Sequence, residues 1–216
     1  MKSLHNILIN CILIAEFIAA ISGIIYYKKL KNSYWKWFVW YLVFIFCAEV
    51  FSKFVLNDFL ILKKYYYNFF VIPIEFLFLY WLYGCKSLAN KKLFFIIAIF
   101  YAVGLVFNVL FFDVFKSISS VNYILGTLLL MIMIVLEFRQ QIKSDKIIYF
   151  KENMMFYINF GIILFYISTL PFYAFNKVLY EQSRNLWNNY STFTLSADII
   201  MYLLFSAAFI WGKPNI

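Results

Sequence analysis

Glu16, Glu75 and Asp198 each stand inside a long run of apolar residues. Inserting a charge at the centre of an apolar helix into a membrane costs about 2.5–3.5 kcal/mol, so such acids face a protein interior or a wet cavity. Carboxylates gathered in a low dielectric bind protons or neutralise a cation. The chemistry on offer is therefore proton binding or capture of a small polar ligand. Asn108 and Tyr202 are the neutral residues placed to join them, since Thr194, Asp198 and Tyr202 recur at helical spacing on one face. Glu49 and Lys53 lie one helical turn apart in the favourable order and read as an ion pair near the interface. Pro73 deprives the carbonyl of Phe69 of its amide donor and reads as a hinge beside Glu75. The plainer reading of the polar residues is hydrogen bonding between packed helices, and of Pro73 a packing kink.

Seven apolar stretches must position these residues, over about 6–27, 35–55, 65–84, 93–112, 119–138, 154–173 and 192–211. The expected fold is all-α, a single domain made of a bundle of seven transmembrane helices. The third stretch, YYYNFFVIPIEFLFLYWLY, holds Pro73 and Glu75 near its middle. In the first, Ala15, Ala19 and Gly23 form a stripe of small residues that admits a close helix neighbour. Trp35, Trp37 and Trp40 open the second as an interfacial belt. Residues 174–190 read as the longest connection, with Pro171 ending the sixth helix before it. Glu16 within the first apolar run argues for a retained helix in place of a cleaved signal.

Composition sets the class. The chain is 65% hydrophobic and 13% charged, with a mean hydropathy of +0.83, where soluble domains are nearer half apolar and a quarter charged. Its net charge of +9 sits in short segments between apolar runs, which fits topology and anionic headgroups and does not fit nucleic acid. The segments after the first, third and fifth stretches, with the C-terminal tail, hold about twelve lysines and arginines against about six on the other side. That bias expects the N-terminus outside and the C-terminus in the cytoplasm. Cys11, Cys47 and Cys85 are far apart and read as buried free thiols, and one histidine, His5, cannot build a multi-histidine metal cage. No GxSxG, phosphate-loop or Asp-rich motif is present, so no catalytic residue, metal or cofactor is assigned.

The run IPIEFLF is similar to the IPxEE-type segment of membrane lycopene cyclases, which convert linear carotenoids to ringed ones. It spans seven residues, with Phe76 where the second acid would stand and no companion motif. More broadly, the layout resembles small bacterial seven-helix inner-membrane proteins: an acid in helix one, WKWFxWYLxxxxxAE in helix two and MYLLFxxAFIW closing helix seven. That resemblance implies the bacterial inner membrane and carries no chemistry with it.

These features expect a non-enzymatic membrane sensor or accessory protein with a mid-membrane polar pocket. A cytoplasmic partner or anionic lipid would meet the basic segments 28–36 and 139–152. The alternatives are a proton- or cation-coupled transporter or channel, and a lipid- or isoprenoid-modifying enzyme. Oligomeric state is left open.

Overall fold

The computed structural model describes residues 2–111, 120–143 and 151–214. The expected turn around Asp113 and Lys116, and positions 144–150 of the second basic segment, lie outside them. The described residues are helical almost throughout: α1 (Lys2–Ile25), α2 (Tyr27–Leu30), α3 (Trp35–Phe54), α4 (Leu60–Tyr66), α5 (Ile72–Trp81), α6 (Lys91–Phe111), α7 (Ser120–Lys143), α8 (Met154–Gln182) and α9 (Arg184–Trp211). Two π-helical segments, Tyr67–Val71 and Leu82–Ser87, join α4, α5 and the turn before α6 into one span. Among the described residues, seven helices are long and apolar enough to cross a membrane, which points to an integral membrane protein.

Contacts divide the chain into two compact units, Met1–Glu49 with Lys146–Ile216, and Val50–Asp145. In the first unit α9 packs against both α1 and α8. Phe38 of α3 sits in its core, edge-on to Phe205 at 5.2 Å and tilted against Phe209 at 5.8 Å. The small-residue stripe on α1 is buried: the Cβ position of Gly23 lies 3.0 Å from Val39 and 3.2 Å from the ring of Phe209. At the lysine-rich end, the C-terminal tail is tied down. Lys29 Nζ donates to the Gly212 carbonyl at 2.6 Å, Trp35 Nε1 to the Pro214 carbonyl at 3.3 Å, and the Lys213 amide to the Glu152 carbonyl at 2.6 Å.

The segment 174–190 is not a loop. α8 runs on to Gln182 and α9 begins at Arg184, with Ser183 alone between them in extended geometry, its Oγ accepting from the Leu186 amide. Helices of 29 and 28 residues measure about 43 and 42 Å, against about 30 Å of hydrocarbon, so this hairpin outreaches the bilayer core. Side chains hold it together: Phe172 stacks on Tyr190 at 5.8 Å, Trp187 Nε1 donates to Asn176 Oδ1 at 2.8 Å, and Arg184 lies 4.3 Å over Tyr180. Pro171 lies inside α8 and does not end it. Ser168 and Thr169 turn their hydroxyls onto the Phe165 carbonyl, which keeps them satisfied in the turn before the proline.

In the second unit the third span begins at Leu60, not Tyr65, because Leu60, Ile61 and Leu62 extend its apolar run outward. Pro73 lacks an amide, and the helix widens just before it: the Ile72 amide reaches the Tyr67 carbonyl across a π turn. The second π segment repeats this device, with the Leu88 amide on the Tyr83 carbonyl at 2.8 Å. α6 exposes Ile99, Val103, Val106 and Leu110 along one face, as a lipid-facing helix does.

The span ends in a tight turn where the Asn90 amide bonds the Gly84 carbonyl at 2.7 Å and Asn90 Oδ1 caps the Leu93 amide at 3.0 Å. Ala89 sits in this turn with φ of +52°, a left-handed conformation that costs a residue with a Cβ about 1–2 kcal/mol. Ala89→Gly is expected to stabilise the protein by about 0.5–1 kcal/mol after the larger entropy of unfolded glycine is deducted. A raised unfolding midpoint in detergent micelles checks it, and a lowered one contradicts the assigned turn.

Candidate functional site

Each unit carries its own buried polar set. In the first unit, Leu4 and His5 border a groove with Asn188, Asn189 and Thr192, while Gly23 lies against Phe209. α1 and α9 are therefore parallel, in a register that sets Glu16 near the depth of Tyr202. α8 runs the other way, with the Cβ position of Gly161 3.3 Å from the Met201 carbonyl, which brings Asn159 to about the same depth. Glu16 is only 3% exposed, and Asn159 and Tyr202 are buried with it. Asp198, half-buried, stands one turn of α9 nearer the hairpin. Much else that is polar here is structural. Thr194, Ser196 and Ser206 each donate to a carbonyl of their own helix, the local satisfaction expected of hydroxyls in a dry helix pair.

Glu75 and Asn108 belong to the second unit. α5 and α7 run parallel, since Tyr80 donates to the Gly126 carbonyl at 2.9 Å and Ser87 to Glu137 at 3.0 Å. α6 is antiparallel to α7: Gly84 approaches both Phe94 and Met133, and the Cβ position of Gly104 meets Leu125. This register sets Asn108 at the depth of Asn122, and both are buried. Asn68, also buried, enters from the first π segment, where Tyr67 donates to Ser52 Oγ at 2.9 Å. Glu75 is half-buried and close enough to Tyr101 to act on it electrostatically. Pro73 is buried directly below the π turn. Glu49 and Lys53 stand one turn apart on α3, both half-buried.

The most enclosed acid among the described residues of this unit is not one of the candidate residues named above. Glu137 is 3% exposed. Its Oε1 accepts from Gln141 Nε2 at 2.6 Å and from Ser87 Oγ at 3.0 Å, and fully buried Tyr83 lies within electrostatic reach. The fifth apolar stretch, over about 119–138, would put Glu137 at its end. α7 instead continues to Lys143, because LEFRQQIK contains no Gly or Pro to stop it. The signal available was the spacing of Glu137 and Gln141, one turn apart on one face.

Among the described residues no group of His, Cys, Asp or Glu is arranged to hold a metal ion. Cys11, Cys47 and Cys85 are free and none is buried: Cys11 and Cys85 are half-buried, and Cys47, on the outer face of α3, is exposed. Of the basic segment 28–36, Lys29 is spent on the C-terminal tail and Lys36 lies 5.6 Å over the ring of Trp37, leaving Lys28 and Lys31 exposed. Arg139, Lys143 and Lys151 are exposed in the segment 139–152. No family model matches the chain, and no curated protein or solved structure matches it either.

Glu137 joins two elements through charge-assisted hydrogen bonds, so its removal strands the donors Ser87 and Gln141. Glu137→Ala is expected to cost about 2–4 kcal/mol, and Glu137→Gln, which keeps an acceptor, about half of that or less. Reversible unfolding in mixed micelles measures both, and equal losses for the two variants would contradict the hydrogen-bonding role.

Proposed function

We propose that this is a non-enzymatic sensor or accessory protein of a bacterial inner membrane, with its N-terminus outside and its C-terminus in the cytoplasm. In this reading, mid-membrane polar sites around Glu16, Asp198 and Tyr202, and around Glu75 and Asn108, take up a proton or small polar ligand. The basic segments 28–36 and 139–152 meet a cytoplasmic protein or anionic lipid, and Pro73 with its π turn serves as the hinge.

The observation that carries this reading is the link at Glu137. A buried acid bonds the second π segment to α7, and these elements lead straight into Lys86 and into Arg139 and Lys143. A proton added to Glu137 weakens its acceptance from Ser87 and Gln141, and so loosens the two elements that present the basic surface. The titratable or charged groups on the elements packed there are Tyr83, Cys85 and Lys86 on the π segment, Lys91 and Lys92 opening α6, and Arg139 and Lys143 on α7.

The test is lysine-directed crosslinking in native membranes at acid and neutral pH. The expected result is a protein adduct through Lys86 or Lys143 whose yield changes with pH in the wild type and is fixed in Glu137→Gln. Neutralising Lys143 to Lys151 should abolish it, and absence of any adduct would sink the proposal.

A second reading is favoured by the spread of buried polar residues through the second unit, from Ser52 and Asn68, through Asn108 and Thr127, to Glu137 and Gln141. Polar groups at several depths suit a proton- or cation-coupled transporter. Proton or cation flux in proteoliposomes, abolished by Glu75→Gln, is its expected outcome, and flux no greater than in protein-free liposomes contradicts it.

A further inference from the structure

Buried hydroxyls in this protein find partners with few exceptions. Thr169, Thr194 and Ser206, all buried, each donate to a carbonyl of their own helix, and Tyr80 donates to Gly126 of another helix. Thr127 on α7 and Tyr101 on α6 depart from this pattern. Thr127 is 0% exposed and Tyr101 2% exposed, yet neither hydroxyl has a hydrogen-bond partner among the described residues. Thr127 has the option its fellow threonines use, its own helix backbone, and does not take it. The two hydroxyls are also neighbours of one residue. The Tyr80 ring is 5.8 Å from that of Tyr101, and its hydroxyl reaches the Gly126 carbonyl, adjacent to Thr127. The antiparallel register of α6 and α7 sets Tyr101 and Thr127 at one depth, in the middle of their spans.

Hydroxyls buried in an apolar bundle demand a partner, and a site with two of them at one depth has the polar valence that an internal water requires. Aromatic rings crowd the site: Phe76 lies 5.5 Å from Tyr101, 5.8 Å from Tyr123 and 6.0 Å from Tyr80. We infer that the second unit holds ordered internal water between α5, α6 and α7, bonded to the hydroxyls of Tyr101 and Thr127 on the Glu75 side of the aromatic cluster. Tyr80, which gives its proton to Gly126, keeps lone pairs to accept from that water. Glu75 is then next to a hydrated pocket and not a dry aromatic core. This site follows from packing and stands independently of whether the protein senses or transports.

Hydroxyl-radical footprinting by synchrotron radiolysis of the full chain in lipid nanodiscs tests it, because water bound inside a protein generates radicals that oxidise the side chains around it. Tyr101 is expected to oxidise at least about tenfold faster than the similarly buried Tyr166, whose neighbouring hydroxyls, Ser168 and Thr169, are satisfied by backbone carbonyls. A Tyr101 rate equal to that of Tyr166 overturns the inference. In the double variant Tyr101→Phe, Thr127→Val, oxidation of Phe76 and Tyr80 is expected to fall to the level of Tyr166. Persistence at the wild-type rate would place the water elsewhere and overturn its assignment to these two hydroxyls.

Discussion

Pro73 has no amide hydrogen to give, and inside a bilayer the backbone carbonyls around it cannot turn to water. The third span answers by changing its hydrogen-bond period. The π turn at Tyr67–Val71 widens the helix by one residue just before the proline, and a second π segment does the same at Leu82–Ser87. Each widening turns the face that follows. Asn68 is buried at the first, and Tyr83 and Ser87 are aimed at Glu137 around the second. The polar interior of this unit depends on that adjusted ladder, since π segments re-aim side chains where a regular helix would keep one face throughout.

The same requirement sorts the polar residues of both units. Thr194, Ser196 and Ser206 satisfy themselves on their own helix, and Tyr67 and Tyr80 on a neighbouring one, and this is packing. Glu137 differs in kind, because a carboxylate accepting from Ser87 and Gln141 ties two helices through a group whose charge can change. Glu16 differs in setting, being enclosed among Ala15, Ala19 and Ala20 on the face that α9 covers. Small neighbours let the helices close around an acid that a larger side chain would hold apart.

The basic end is less a free surface than its charge implies. Lys29 holds the carbonyl of Gly212, and Lys213 lies 2.5 Å from Glu152, so part of the positive charge is structural. At the opposite end of the same unit, the α8–α9 hairpin carries its aromatic packing beyond the hydrocarbon thickness. Continuous α-helix is the simplest backbone for crossing the headgroup region, because it carries its own hydrogen bonds from lipid into water.

Hydropathy and period were enough to read seven spans, the interior position of Glu16 and Asn108, and the irregularity at Pro73. Each is a local property of a helix in lipid, written in residue type and spacing. Helix ends were less legible. Gln182 and Lys143 lie beyond the apolar runs, and there the bilayer's pressure for helix gives way to side-chain packing such as Phe172 on Tyr190. Pro171 shows the limit of a local rule, for an interior proline is tolerated where neighbouring side chains support the turn before it. What only the tertiary structure decided is partnership. Glu137 became a buried link when Ser87 arrived from fifty residues away, and Tyr101 and Thr127 became a pair because α6 and α7 fold antiparallel beside Tyr80. Spacing along one helix fixes which residues share a face, but the neighbour across that face is set by register between helices, which no single stretch of sequence contains.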